Sequence, residues 1–432
     1  MHIFAQWKLL VQRIPVLAGL LVTSAFGQSM PSMPGMSPGM QASSFVEAIE
    51  NHATSGTSVE PDSTPVPMMM SMHGGWMWML HGEAFVNAIQ QSGPRGGDKV
   101  FSTNWIMPMA QRDLGPGKLT LRTMLSLEPA TVTERRYPEL FQVGETAFGK
   151  AIVDGQHPHD LFMEIAALYD IKLAQDALLS FYAAPVGDPA IGPTAYPHRT
   201  SAAEDPLATL GHHLEDSTHV AADVLAAGIV YKKARLEASG FHGREPDEYR
   251  WNIDPGRLDS YSGRLTIAPA ANWIGQFSAA RIVSPEVLAP NDNQLRMTAS
   301  IGYNRPLIRG NWASTLLWGR TRTLGQPQPF NGYLAESTLR FANKNYVWGR
   351  IENVDRSNEL LELPIANDAF LARVQAYTLG YARDFHLIDR ADTGLGAQVT
   401  LYEKPSFLTP EYGAHPAGVV VFFRVRLHGK GM

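Results

Sequence analysis

The sequence predicts an all-β fold: a transmembrane antiparallel β-barrel of about 16 strands, within a range of roughly 14 to 18. Three observations predict it. Apolar and polar residues alternate with a period of two in segments spread along most of the chain. The connections between these segments alternate between short and long. The chain begins with an export-type leader, yet no later apolar run reaches the ~18 residues that a spanning helix needs. Such a chain can still cross a membrane as a closed barrel, because closure gives every backbone group a partner.

The leader is residues 1–27. Lys8 and Arg13 form a basic start, an apolar run follows over Ile14–Val22, and Ala25 and Gly27 are the small residues before a cut at Gln28. That pattern is a signal peptide, and its apolar run is too short to span a membrane.

Residues 28–74 read as a disordered, periplasmic tail. They are rich in Met, Pro, Ser and Gly without sustained period, so they bury too little apolar surface to offset ordering entropy. A brief helical turn is expected around "SSFVEAIENH".

Residues 75–432 read as the barrel. In "KLTLRTMLSLE", Leu119, Leu121, Thr123, Leu125 and Leu127 point one way, and Thr120, Arg122, Met124, Ser126 and Glu128 the other. "QLRMTASIGY" sets Leu295, Met297 and Ile301 against Arg296, Thr298 and Ser300, and "VVVFFRVRL" sets Val421, Phe423 and Val425 against Phe422, Arg424 and Arg426. Side chains two apart share a strand face, so one face suits lipid and the other a polar interior.

The predicted strands are 76–91, 99–110, 117–128, 160–172, 175–186, 218–232, 234–245, 258–269, 271–283, 294–305, 310–323, 331–343, 345–356, 371–386, 393–404 and 416–428. Short links such as "LAQ", "KKA", "PA" and "ANK" fall at one end of the barrel. Long links, 129–159, 187–217, 246–257, 284–293, 357–370 and 405–415, fall at the other. An outer-membrane barrel shows this asymmetry, with tight periplasmic turns and longer outer loops. It implies a place in the outer membrane of a Gram-negative-type bacterium, with outer-membrane lipid and the barrel-assembly machinery as partners and the tail in the periplasm.

The inward parity collects Arg122, Arg264, Arg296, Arg320, Arg322, Arg340, Arg350, Arg356, Arg373, Arg383, Arg424 and Arg426, with Glu83, Glu128, Glu164, Glu336 and Glu352. Arg–Glu pairs are expected to brace the wall and hold inserted loops. Unpaired Arg would favour anions.

Two histidine clusters end long loops. "VDGQHPHDLF" supplies His157, His159 and Asp160, and "LGHHLEDSTHVAAD" supplies His212, His213, Asp216 and His219. Imidazole and carboxylate suit divalent Cu, Zn or Ni. His212, Asp216 and His219 would share one face of a helix over 211–219. The matched placement of the two clusters predicts that His157, His159, His212 and His213 meet inside the outer half of the barrel. The alternative is that these groups cap turns and pack loops.

Function classes narrow by composition. The chain has no Cys, which excludes disulfides, thiolate sites and a Cys nucleophile. A net charge of −5 carries no nucleic-acid signature. No P-loop or H-E-x-x-H spacing is present, so no enzyme is expected. An outer-membrane hydrolase would need a Ser beside His157 or His212.

The tail carries the most unusual chemistry. In "QSMPSMPGMSPGMQ", Met30, Met33, Met36 and Met40 are three or four residues apart, and "PMMMSMHGGWMWMLHG" adds Met68, Met69, Met70, Met72 and His73. Thioether sulfur is a soft, neutral ligand that suits Cu(I), and Pro and Gly keep the segment open enough to gather several sulfurs. His73 and His81 could add ligands for Cu(II). The leader, the Met/His-rich tail and the alternating-strand barrel together resemble the bacterial copper-resistance outer-membrane proteins, and the barrel region looks like a porin-type protein. The resemblance implies copper as the bound ion, periplasmic copper-handling proteins as partners, and Met30, Met33, Met36, Met40, Met68, Met69, Met70, Met72 and His73 as ligands. Three readings stand at this point: a metal-associated barrel concerned with copper binding, tolerance or passage; a general porin or solute channel with an incidental tail; and an outer-membrane enzyme using the loop histidines.

Overall fold

The computed structural model describes residues 42–215, 220–363, 371–388 and 390–427. The leader, and Met30, Met33, Met36 and Met40 of the tail, lie outside the described residues. So do Asp216 and His219.

The strands in chain order begin with β1 (Met69–His73), β2 (Trp76–Gln91), β3 (Asp98–Leu114) and β4 (Gly117–Leu125). There follow β5 (Tyr137–Ala147), β6 (Lys150–Gln156), β7 (Phe162–Ala174), β8 (Ala177–Gly187), β9 (Ala221–Tyr231) and β10 (Ala234–His242). The rest are β11 (Ser260–Ala270), β12 (Trp273–Ile282), β13 (Gln294–Leu307), β14 (Gly310–Thr323), β15 (Phe330–Phe341), β16 (Asn345–Ser357), β17 (Leu371–Ile388), β18 (Ala391–Glu403) and β19 (Ala417–Leu427). Strands β2–β4 and β7–β19 form a closed antiparallel barrel of 16 strands. The ring closes where β19 pairs with β2, placing Val420 opposite Ile89. Each sequence-predicted strand lies in the wall, and β2 and β14 keep the predicted limits.

The alternation sets the two faces. Leu121, Leu127, Leu295, Ile301 and Val421 are exposed on the outer surface, whereas Thr120, Arg122, Ser126, Thr298, Phe422 and Arg424 are buried inside. Trp78, Tyr231, Trp273 and Trp312 stand on the outer surface near the short-turn end, and Tyr261, Tyr333 and Tyr377 are exposed nearer the long-loop end. Aromatic rings prefer these interfacial levels because one part of the ring is apolar and another is wet. Arg320, Arg322, Arg373 and Arg383 correct the predicted parity. They are exposed, alternating with the buried Thr315, Thr321, Val374 and Ala382. All four lie near strand ends, where a long cationic side chain reaches the polar interface.

The interior is filled from both ends. Residues 42–74 correct the expectation of a disordered tail extending to residue 74. This part of the chain enters the barrel from the short-turn end as a plug, and leaves it as β1, which pairs with the overhanging start of β2. Helix α1 (Phe45–Glu50) opens the plug. Ser44 caps it by accepting from the Glu47 N–H at 3.2 Å, while the Glu47 carboxylate accepts from the Ser43 N–H at 2.7 Å. This is a variant of the capping box, with the returning bond one residue earlier. Phe45, Val46 and Ile49 pack against Leu178, Val230 and Ala268 of the wall. Beyond α1 the plug has little apolar period, and the wall satisfies its backbone instead. Arg122 donates to the carbonyls of His52, Thr54 and Gly56 at 2.8, 2.5 and 2.6 Å. Arg235 donates to the Thr57 carbonyl at 2.6 Å. Ser63 Oγ donates to the Asn304 carbonyl at 2.9 Å.

From the long-loop end, residues 188–215 fold into the lumen as an inner loop. Arg199 Nε donates to Glu336 Oε1 at 2.6 Å, and Arg350 pairs with Glu336 at 3.3 Å and Asp205 at 3.0 Å. Glu204 of the same loop pairs with Arg424 and Arg426. The β5–β6 hairpin lies over this end, with Leu140, Phe141 and Val143 in one apolar cluster with Val354, Leu361 and Tyr412. Arg–carboxylate pairs therefore brace the wall and hold the inserted segments.

Arg122→Ala should release the plug without opening the barrel wall. Removing one member of this buried pair leaves Glu164 uncompensated, a cost of about 3–5 kcal/mol. Hydrogen exchange of residues 45–66 should accelerate while that of β13–β16 stays slow, and Arg122→Ala with Glu164→Gln should recover part of the protection. Unchanged exchange in the plug would show that the fork does not hold it.

Candidate metal centre

His157 follows the last residue of β6, and His212 and His213 begin a one-turn helix, His212–Glu215, at the end of the inner loop. One strand end and one loop thus bring residues from two distant sequence clusters together. Their ligand nitrogens all lie within 4.8 Å of one another. The ring centroids are 6.1 Å apart for His157–His212, 5.6 Å for His157–His213 and 5.0 Å for His212–His213. Nitrogens sharing one ion at about 2.0–2.1 Å sit ~3.4 Å apart, so small ring movements suffice to close the set.

The surroundings fit this chemistry. His157 Nδ1 faces the Pro158 carbonyl at 3.0 Å, and its Nε2 lies 3.1 Å from Glu145 Oε1 outside hydrogen-bond alignment. His213 Nδ1 is 3.9 Å from Glu245 Oε1. Burial, then the neighbouring His213 and His212 rings, holds His157 well below the ordinary histidine range. It is therefore neutral, which is the form that ligates. Glu245, aided by burial, raises Glu286 to about 7. Arg250 pairs with Glu145 and, at 3.2 Å, with Asp160. Three imidazoles, His157 among them held neutral, with carboxylates behind them suit a divalent Cu, Zn or Ni ion.

Two glycines make the room. Gly144 of β5 has φ +127°, and a Cβ built there would overlap the His213 ring. On β14, a Cβ at Gly319 would overlap the Leu214 carbonyl, so the absent side chain lets the helical turn lie against the wall.

No protein-family model and no curated protein matches the chain. Solved structures do. The chain is similar to the anion-selective porin from Comamonas acidovorans, with a TM-score of 0.52 and 10% identity over 82% of this chain and 100% of that one. Salmonella typhi OmpF in complex with daunomycin gives 0.49 and 10% over 82% and 100%. The outer-membrane channel DcaP of Acinetobacter baumannii gives 0.45 and 9% over 82% and 99%. The chain folds as a porin-like outer-membrane barrel.

Within this porin-like barrel the sequence-predicted residues divide. His157, His212 and His213 converge. His159 turns to other partners: its Nδ1 is 3.0 Å from Glu128 Oε1 and its Nε2 is 3.3 Å from Tyr196 Oη. Asp160 is held by Arg250. Helix His212–Glu215 is one turn long, and the rest of the predicted 211–219 face lies outside the described residues. Met68 is buried and Met70 partly buried in the lumen, whereas Met69 is half-buried on β1 and Met72 and His73 are exposed at its end. Sequence reading missed the carboxylates Glu145 and Glu245, and also a methionine cluster of the wall. Met79, Met107, Met109, Met124 and Met163 gather around Met68. The inward parity of Met124 beside Arg122 was its one visible signal.

Gly144→Ala should displace the His213 ring. The overpacking and the strained φ together cost about 1–3 kcal/mol. Removing the ring with His213→Ala should return about 1 kcal/mol of that cost in a double-mutant cycle read by thermal unfolding. Additive effects would mean that the two residues are not in contact.

Proposed function

We propose that the protein is a metal-associated outer-membrane barrel that handles copper, and that His157, His212 and His213 hold the ion inside its long-loop end. The observation that carries this reading is the convergence of three imidazoles, two buried and one half-buried, from two sequence-distant loops. His157 Nε2 is buried without a hydrogen-bond partner among the described residues, and a divalent ion beside His212 and His213 would satisfy it. The tail complements the centre. Met30, Met33, Met36 and Met40 are thioethers that bind Cu(I) without losing a proton, so they serve across the acidic range in which imidazoles protonate. The fold supports outer-membrane localisation, and the short-turn end with its plug is assigned to the periplasm.

Full-length barrel in detergent should bind one Co(II) or Cu(II) per chain at the histidines. Single replacements His157→Ala, His212→Ala and His213→Ala should each weaken binding by at least about 10-fold, with His159→Ala much milder. Unaltered binding in the triple variant would refute the centre. In the full chain, replacing Met30, Met33, Met36 and Met40 together with Leu should remove Cu(I) equivalents that persist near pH 5. Equal uptake by both proteins would remove the tail from the reading.

A second reading, a general solute channel, draws on the buried cations Arg235, Arg264, Arg296 and Arg424. Conductance separates the two. With plug and inner loop in place, single-channel conductance should fall well below that of an open 16-stranded porin, and the plug-releasing Arg122→Ala should raise it. A large, steady anion current in the unaltered protein would favour the channel.

A further inference from the structure

The methionine cluster of the wall has a composition that packing alone does not require. Met79 and His81 face the lumen from β2, and Met109, Met107 and Trp105 face it from β3. In the β2–β3 register His81 is directly opposite Met107, and Met79 opposite Met109. Met124 follows on β4. Residues of one face in such register touch across the strands. The inner loop brings a second imidazole onto this patch. His198 Nε2 lies 3.3 Å from Met124 Sδ, and its ring is 4.4 Å from Trp105 and 5.5 Å from His81. His81 is 5% exposed, and its Nε2 has no hydrogen-bond partner among the described residues.

An orphaned buried imidazole nitrogen carries an uncompensated desolvation cost. Methionine is a common filler of irregular cores, and that accounts for single residues. It does not account for Met107 set opposite an imidazole with an unsatisfied nitrogen while Met124 lies on a second imidazole. His81, Trp105 and His198 also line a cavity of about 180 Å³ beside the plug, which Asn311, Arg340 and Leu427 at the short-turn end line too. The donors are neutral sulfur and nitrogen, with an indole ring against both imidazoles. Oxygen-seeking cations gain little from such a set, whereas soft monovalent ions gain most, and an aromatic face adds attraction for a cation.

We propose that His81, Met107, Met124 and His198 form a second metal site, in the lumen, for a soft monovalent ion, Cu(I) or Ag(I). It shares the metal-handling reading and needs neither the three-histidine centre nor the tail.

The test uses full-length barrel in detergent in which Met30, Met33, Met36 and Met40 are Leu and His157, His212 and His213 are Ala. This protein should retain one Ag(I) or Cu(I) against a competing chelator, with sulfur and nitrogen neighbours in X-ray absorption. Adding Met107→Leu and Met124→Leu, which keep size and apolarity, should weaken retention by about 10-fold or more, and His81→Gln should do the same. Melting close to the parent establishes that the Leu variant is folded. Equal retention by parent and Leu variant, or no retention by the parent, overturns the site. Co(II) binding in a separate chain with the three histidines restored tells the two readings apart: if it persists while Ag(I) is not retained, only the lumenal site fails.

Discussion

The fork between Arg122 and Glu164 is the contact on which the interior depends. Arg122 Nε and Nη2 meet the two carboxylate oxygens at 2.7 and 2.8 Å, and the remaining donors go to three plug carbonyls. Glu164 also accepts from the Gly56 N–H at 3.0 Å and Tyr182 Oη at 2.7 Å. A guanidinium has five donors in a fixed plane, and here all are used. The pair is fully buried, so its desolvation is offset only because wall and plug complete each other. One residue pair thereby converts an aperiodic segment into a fixed part of the barrel.

The same logic recurs around the ring. Arg264 Nε donates to Glu237 at 3.0 Å and Nη2 to Thr57 Oγ1 of the plug at 2.8 Å. Arg199, Glu336, Arg350 and Asp205 do for the inner loop what Arg122 does for the plug. A 16-stranded ring is wide enough for an aqueous channel. This one is crossed from both sides by chain whose polar groups the wall was built to receive. The wide ring provides a frame for lumenal donors.

The wall was legible because strand parity is local: each strand states its own two faces, and loop lengths state which end is which. The plug was not. Its order comes from backbone carbonyls meeting Arg122 and Arg235, residues far along the chain, and a stretch rich in Pro and Ser has no period to announce that. The pairing of His157 with His212 and His213 followed from their matched places at loop ends. The departure of His159 did not, because Glu128 and Tyr196, which hold it, enter from other loops. The wall methionines are one or two per strand, so the sequence scatters what the barrel collects.

The inner loop ties the two donor sets to one another. Its Tyr196 ring stands 5.6 Å from that of His212, and Tyr196 Oη approaches His159. Two residues later, His198 lies on Met124 and Trp105. A small cavity of about 30 Å³, lined by Trp105, Glu128, His159 and Tyr196, lies between them. That is enough for a water or a bare ion. Soft thioethers and imidazoles beside the short-turn cavity, a mixed imidazole and carboxylate pair in the middle, and three imidazoles at the far end thus make an ordered series along one loop. The ion pairs of Arg199, Asp205 and Glu204 fix that loop to the wall. The donors are therefore held in place by folding, so an ion of the kind proposed would meet a set already ordered.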